Sequence, residues 1–274
     1  MKTWTERIGD RNSGNAPGEN AAWWVNDKLK LHRFCDEVGI PMPRLLGVWT
    51  LPEELSPADL TEPVVLKPSV MFSTWGVMVL EPRGNGLWHE ALRDRFLNFE
   101  QIVAEQKSAY ERCKFKGSYR LIAEERISDQ NPQFPVPLDY KVAVFYDRAE
   151  LVQQINRNGG KAEYTFMDRD FNLLPDRLIV SDWKTINKGI ALPPHQGGEM
   201  IRIAEALTKA LKTPFMRVDM YNGIGGPVVG ELTPSPGDAF YGNNYKYSAE
   251  YDRTLGECWS KALDRIKADA VTEM

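Results

Sequence analysis

Two apolar runs near the end of the chain, residues 215–221 and 227–232, are separated by Asn222-Gly223-Ile224-Gly225-Gly226. A turn-rich link of that length between β-type runs leaves little choice but an antiparallel hairpin. Arg217 and Asp219 are two apart, so on a strand they share a face. The returning strand brings Glu231 beside Asp219. Carboxylates held that close repel each other unless a proton or a cation lies between them. Oxygen ligands alone suit Mg²⁺, which binds through one or two carboxylates and substrate phosphates. The alternation of Met216, Val218, Met220 and Val228 makes the hairpin half-buried. On these residues alone, a solvated charged face and a cation site both stay open. Thr233-Pro234-Ser235-Pro236-Gly237 then ends the strand.

The rest of the chain narrows the function classes. A length of 274 residues supports a substantial core in two lobes. A net charge of −4 supplies no basic domain for nucleic acid. No apolar stretch approaches a membrane span, and residues 1–15 have no signal core. Cys35, Cys113 and Cys258 are widely spaced without a CxxC, which fits a reducing cytoplasm and neither disulfides nor zinc. His32, His89 and His195 are scattered, which gives histidine catalysis or metal binding little support.

Along the chain, residues 1–22 read as a polar, mobile or docked arm with Trp4 as its only large aromatic. A helix starts near Asn26 or Asp27, continues through Leu31, Phe34, Cys35 and Val38, and stops at Gly39. An apolar run at 45–49, a connector at 50–62 and a strand at 64–67 follow. A loop at 68–75 and a strand at 76–80 come next. Leu92, Phe96, Phe99 and Val103 mark a helix, and 119–123 a strand ending in Glu124-Glu125-Arg126-Ile127. Residues 139–146 and 150–155 form an antiparallel pair, and 158–170 is loop-like. Met200, Ile203, Ala204, Leu207 and Leu211 make an amphipathic helix, and a last helix covers 252–267. Strand pairs each followed by a helix predict an α+β fold.

Candidate chemistry accumulates in order: Lys28 opening the first helix, Lys67 ending an apolar strand, Glu124-Glu125 after another, and Asp139 with Lys141 on the next. A lysine at a strand end is ordinarily a snorkelling surface cation; beside a loop it also holds phosphate. Asp139 and Lys141 equally suit an exposed strand face. Neither a P-loop nor a GxGxxG after a strand is present.

The series Asp27-Lys28, Leu45-Leu46-Gly47-Val48-Trp49, Val65-Leu66-Lys67-Pro68, Asp139-Tyr140-Lys141, Arg217-Val218-Asp219-Met220-Tyr221 and Gly230-Glu231-Leu232-Thr233, with Asp252-Arg253-Thr254-Leu255-Gly256, spans about residues 26–259. It resembles the ATP-grasp superfamily, and within it the teichuronopeptide-biosynthesis (TupA-like) ATP-grasp family. The resemblance implies an ATP-grasp fold in which two α+β lobes sandwich ATP. The expected division is an N-terminal arm and helical segment at 1–62, a small lid subdomain at 63–127 and a large subdomain with the metal site at 128–274. A full N-terminal pre-ATP-grasp domain is not expected.

By the same resemblance, Lys28 and Lys67 hold the phosphates, while Glu124, the backbone at Glu125, and Ile127 meet the adenine edge. Asp139 takes the ribose hydroxyls. Asp219 and Glu231 bind Mg²⁺, with Mn²⁺ as a substitute. Thr233 stands where many ATP-grasp ligases have an asparagine metal ligand. Arg217 and Lys141 are the expected catalytic cations. A further departure accompanies the match. The loop 69–75 contains no glycine and carries Met71, Phe72 and Trp75 where the family's phosphate-covering loop is glycine-rich. Acceptor recognition falls to residues 1–24, to 156–183 or to a partner.

The implied activity is carboxylate–amine ligation through an acyl phosphate, in cell-envelope polymer or natural-product biosynthesis. A kinase on the same site and a non-catalytic nucleotide-binding regulator are its rivals. The substrates expected are a small-molecule, sugar or peptide carboxylate and an amine; Arg157, Lys161, Arg169 and Arg177 cluster in the region assigned to the acceptor side, with an exposed basic loop as the plainer reading of each. A cytoplasmic protein, without nucleic acid or membrane span, acting as a homodimer or with a partner enzyme, completes the expectation.

Overall fold

The computed structural model describes residues 1–71, 74–236 and 244–272. The chain divides into two compact units, one of Asn26–Arg33 and Met42–Ile127, the other of Met1–Val25, Phe34–Pro41 and Ser128–Met274. The segment 1–62, expected as an N-terminal arm and helical segment, is thus shared between both.

The smaller unit is a six-stranded antiparallel sheet. Its strands are β1 (Leu45–Trp49), β2 (Val64–Pro68), β3 (Met78–Gly84), β4 (Leu87–Glu90), β5 (Arg95–Asn98) and β6 (Leu121–Glu125), in the order β1-β6-β2-β3-β4-β5. Val64, Leu66, Leu121 and Ala123 alternate onto one face, where they are buried with Leu60, Ile102 and Tyr119. The register pairs Val65 with Glu124 and Lys67 with Ile122, so Lys67 and Glu124 share the opposite face. The helix expected through Leu92 and Phe96 is instead the β4–β5 hairpin followed by a helix (Phe99–Arg112). The boundary is chemical: the Asn98 side chain accepts from the Gln101 amide and Gln101 returns to the Asn98 amide, a reciprocal cap that starts the helix at Phe99. Phe96, left on the strand, is 63% exposed. The strand expected at 76–80 runs from Met78 to Gly84.

The larger unit carries β7 (Asp139–Phe145), β8 (Arg148–Asn156), β9 (Glu163–Met167), β11 (Asn187–Lys188), β12 (Met216–Gly223) and β13 (Gly226–Thr233) in the order β11-β9-β8-β7-β12-β13. β11 and β9 are parallel and the other pairs antiparallel. β10 (Ile179–Val180) and β14 (Lys246–Tyr247) form a separate two-stranded sheet. Residues 158–170, expected as loop, contain β9, because Tyr164 and Phe166 alternate into the core opposite Ile155 and Gln153. The helices are α1 (Trp4–Ser13), α2 (Lys28–Val38), α3 (the Phe99–Arg112 helix of the other unit), α4 (Gly197–Ala210) and α5 (Ala249–Thr272), with α2 divided between the units at Arg33. α4 buries Met200, Ile201, Ile203, Ala204 and Leu207 and contacts β7, β8, β12 and β13.

The opposite sheet face supplies Phe145, Ala143, Leu151 and Phe166 to a core that includes Trp4, Ile8, Phe215, Leu255 and Trp259 from α1, the start of β12 and α5. The Phe215 and Trp259 rings stack at 4.9 Å. The arm expected at 1–22 therefore contains a docked helix. Thr3 and Glu6 form its capping box, and Asp252 accepts hydrogen bonds from the Thr5 amide and hydroxyl, both at 2.9 Å. Gly256 makes the approach possible, since a Cβ there would lie 2.3 Å from the Lys2 carbonyl oxygen. These contacts give the Asp252–Gly256 segment a structural task. Among the described residues no helix is long and apolar enough to cross a membrane.

Candidate active site

In the smaller unit, the β2–β6 register brings Lys67 Nζ to 2.6 Å from Glu124 Oε2. His32 Nε2 lies 2.8 Å from Glu124 Oε1, and Glu124 is only 3% exposed. Burial pushes the Glu124 carboxyl up, but Lys67 and His32 outweigh it and hold the group below the usual carboxylate range. Ionised, its carboxylate is fully engaged by two partners. Lys28 stands four residues before His32, on the same face of α2. Its backbone N–H donates to the Ser69 carbonyl at 2.9 Å and its Nζ to the Met71 carbonyl at 3.0 Å. Lys28 is thus tied to the loop after β2, and Lys67 to Glu124, which His32 of α2 also holds. Phe72 of that loop lies outside the described residues, as does Gly237, whereas Trp75 is exposed with the Arg112 guanidinium 4.6 Å from its ring centre. Glu125 exchanges hydrogen bonds with Arg44, its amide donating to the Arg44 carbonyl and its carboxylate accepting from the Arg44 amide, both at 2.9 Å. Ile127, just past β6, is half-buried.

In the larger unit a charged array crosses β7, β12 and β13. Asp219 faces Lys141 on one side and Glu231 on the other, and Arg217 faces Thr233. The Glu231 placement depends on a bulge. From Gly223–Gly226 through Met220–Val229 the hairpin is regular, and continuing it would pair Asp219 with Gly230 and turn Glu231 to the other face. Instead Gly230 is left as the extra residue, and Glu231 comes opposite Asp219. A Cβ on Gly230 would meet the Tyr221 ring at 2.6 Å, so the bulge is closed to larger residues.

Arg217 donates from Nε to Asp219 Oδ1 at 2.6 Å, and from NH2 to Asp219 Oδ2 at 2.8 Å and Thr233 Oγ1 at 2.9 Å. Lys141 donates to Asp219 Oδ2 and stands 3.0 Å from Asp139 Oδ2, which also accepts from Arg157 at 3.1 Å. Burial pushes the Asp219 carboxyl up, but Arg217 and Lys141 overcome it and keep the group below its ordinary range. Asp139 is 4% exposed, and its Oδ1 is buried without a hydrogen-bond partner. Such an oxygen is costly to leave unpaired and fits a ligand hydroxyl. Among the described residues no three His, Cys, Asp or Glu side chains come together as a metal cage. Two adjacent oxygen donors, Asp219 and Glu231, nevertheless suit a hard cation that keeps water and phosphate oxygens as its remaining ligands.

The structure thus gathers Asp139, Lys141, Arg217, Asp219, Glu231 and Thr233 in one unit, and Lys28, Lys67 and Glu124 in the other. Two participants escaped the sequence reading. His32 was set aside with the scattered histidines, although its i+4 spacing from Lys28 was a usable signal. Arg157 was placed with an acceptor-side basic cluster, and that cluster is corrected: Arg157 holds Asp139, Lys161 reaches the Lys184 carbonyl, Arg169 pairs with Glu205 and Arg177 with Glu250. Those four side chains serve different partners.

Comparison with known proteins adds identity to this geometry. No curated protein matches the chain. Among solved structures, D-alanine–D-alanine ligase from Bacillus anthracis, complexed with ATP, is similar over 95% of this chain and 74% of its own, at 17% identity and a TM-score of 0.54. D-alanyl-alanine synthetase A from Vibrio cholerae O1 biovar eltor str. N16961 is similar over 90% of this chain and 67% of its own, at 12% identity and a TM-score of 0.52. At such identities the likeness is one of fold, the α+β fold of ATP-grasp ligases. The family model for TupA-like ATP-grasp proteins matches residues 10–260, and the chain belongs to that family.

Proposed function

We propose that this ATP-grasp ligase joins a carboxylate to an amine at the expense of ATP, by way of an acyl phosphate. The observation that carries the reading is the buried array of Lys141, Arg217 and Asp219 beside Glu231, with Asp139 Oδ1 left unpaired. Lys28 and Lys67 hold phosphate oxygens, and Asp139 accepts from a ribose hydroxyl. Asp219 and Glu231 are the residues that would hold Mg²⁺, or Mn²⁺ in its place, and the bound ion would neutralise phosphate charge. Thr233 orients Arg217 by accepting from its NH2 group.

A carboxylate oxygen of the acid attacks the γ-phosphorus, the bond to the β-phosphate oxygen breaks, and ADP leaves. The amine nitrogen then attacks the acyl carbon, the carbon–oxygen bond to phosphate breaks, and phosphate departs as the nitrogen loses a proton to solvent. Little of this requires a covalent protein group; the side chains position reactants and stabilise developing charge. Arg217 and Lys141 are suited to that task because both are cations fixed by Asp219 on a sheet, not on a loop. Cell-envelope polymer assembly or peptide natural-product assembly is the setting we propose.

The test is ADP release across panels of acids and amines, with wild type and Glu231→Gln. We expect release that requires both acid and amine in wild type and falls by about 10²–10³ in the variant, the range for losing one preorganised charge-stabilising group. ATP binding without acid-dependent release from any panel member would refute ligation. Wild-type turnover in Glu231→Gln would remove Glu231 from the metal site.

A further inference from the structure

Arg11 lies in the last turn of α1 with its side chain only 1% exposed. Its Nε donates to Glu19 Oε1 at 2.8 Å, its NH2 group donates to the same oxygen, and its guanidinium carbon lies 4.4 Å from the centre of the Trp259 ring. The remaining nitrogen, NH1, donates to two backbone carbonyls, Phe215 at 3.1 Å and Pro234 at 2.6 Å. Phe215 immediately precedes β12 and Pro234 immediately follows β13, so the two carbonyls flank the charged hairpin. Arg217–Thr233 is the pair at the open end of that hairpin, and proline has no amide hydrogen with which to extend the ladder. Arg11 closes the end instead, two residues before Arg217 and one after Thr233. Its neighbour Asn12 accepts from the Ser235 hydroxyl at 2.6 Å. Two consecutive residues of α1 thus hold two consecutive residues beyond β13, all within the larger unit.

Docking of α1 does not call for this arrangement. Trp4 and Ile8 supply apolar contact, and Thr5 bonds Asp252 at the opposite end of the helix. A buried arginine–carboxylate pair is a poor stabiliser, and hydrophobic replacements commonly serve as well or better. What a guanidinium adds is a rigid, planar fork of donors, which fixes its acceptors relative to one another. Here the acceptors are the two chain ends of the hairpin. Next to them stands Arg217, whose NH2 group reaches Thr233 Oγ1, and one step further on the same face the Asp219–Glu231 pair.

We infer that Arg11 is a positioning residue of the site. Through the carbonyls of Phe215 and Pro234 it sets the separation of β12 and β13, and with it where Arg217 and Thr233 stand relative to Asp219 and Glu231. The helix α1 is thereby part of the frame in which phosphate is transferred. This inference rests on the ligase reading for what the site does, but on these bonds for how the site is held, and metal binding separates the two.

The experiment compares wild type with Arg11→Lys, which keeps the charge and loses the fork, and with the paired Arg11→Met and Glu19→Gln, which removes both charges together. Asp252→Ala, which loosens α1 at its opposite end, is the control, and circular dichroism verifies that each variant folds. Two measurements are made on the full chain: kcat and KM for ATP in ADP release, with the most active acid and amine of the panels, and calorimetric titration of MgCl₂ in the presence of ADP. We expect both Arg11 variants to lower kcat by about 10–10² while KM for ATP stays within about threefold, since Lys28, Lys67 and Asp139 stand on other elements. Mg²⁺ affinity should fall by about tenfold, the lower end of the range for groups that orient metal ligands. Asp252→Ala should leave both near wild type. Unchanged kcat in either folded Arg11 variant overturns the assignment, as does a rise in KM for ATP alone. An equal kcat loss in Asp252→Ala also overturns it, by making Arg11 an anchor of the helix and nothing more. Mg²⁺ binding that weakens in the Arg11 variants, with no ADP release from wild type, keeps the positioning role and sinks the ligase reading. ADP release from wild type, with kcat and Mg²⁺ affinity unchanged in the Arg11 variants, does the reverse. A wild type that neither binds Mg²⁺ nor releases ADP overturns both.

Discussion

Replacing Lys141 with methionine tests the electrostatic core of the site. Lys141, Arg157 and Arg217 hold Asp139 and Asp219, and Glu231 is the cross-strand neighbour of Asp219. Lys141 is the member shared by both aspartates, and its side chain is only 10% exposed. Removing one partner from a buried pair costs about 3–5 kcal/mol because the remaining charge stays desolvated. Arg217 still holds Asp219 with two hydrogen bonds, and Arg157 still reaches Asp139, which places the loss near the lower end, about 3 kcal/mol. At roughly 2–4 °C per kcal/mol for a protein of about this size, Lys141→Met should melt about 6–12 °C below wild type in EDTA. The variant leaves Asp139, Asp219 and Glu231 with two cations, Arg157 and Arg217, one positive charge fewer than before, so Mg²⁺ should bind it in compensation. Saturation at about 100 times the dissociation constant returns about 2.7 kcal/mol, most of the loss. Thermal melts of wild type, Lys141→Met and Lys141→Arg, with EDTA and with a MgCl₂ series, measure both quantities. A fall under about 2 °C would show that solvent already screens the array. A full fall that Mg²⁺ does not recover would show that these carboxylates are not a divalent-cation site.

Acid sensitivity follows from Glu124 and Asp219, whose folded carboxyls are held below their unfolded values, so unfolding takes up protons and stability rises with pH. Their contribution is complete above the unfolded range, roughly pH 4, and is lost as pH falls through the lower folded values. Urea melts between pH 2.5 and pH 6 should show that Glu124→Gln flattens this acid limb; an unchanged slope would deny Glu124 its ionised pair with Lys67 and His32. Gly256→Ala places a methyl 2.3 Å from the Lys2 carbonyl oxygen and should cost about 1–3 kcal/mol, releasing α1 to proteolysis ahead of the rest of the chain. Cleavage within residues 4–13 at the wild-type rate would refute that packing.

The carboxylate pair was legible as a possibility, but its decisive element was not. A five-residue link at 222–226 would have paired Arg217 with Glu231 by simple counting, whereas the observed turn is tighter, closing at Gly223–Gly226, and the bulge at Gly230 then shifts the register by one. Each choice moves Glu231 relative to Asp219, and an odd shift reverses its face. Residue order therefore identifies which side chains carry the chemistry, while turn closure and one glycine determine which of them meet. The same limit explains His32 and Arg157. Glu124 and Asp139 were readable as acids on strands, but their partners come from α2 and from beyond β8; the i+4 spacing puts His32 on the Lys28 face of its helix without specifying that it meets Glu124. It also explains why β9 was missed: Tyr164 and Phe166 acquire a buried face only once β8 supplies the neighbouring edge. Helices with reciprocal caps, such as Asn98 with Gln101, carry their boundary within four residues and were open to a closer reading of the sequence. Local chemistry thus sets where elements begin and which charges they carry. Pairing across elements sets whether those charges become a site.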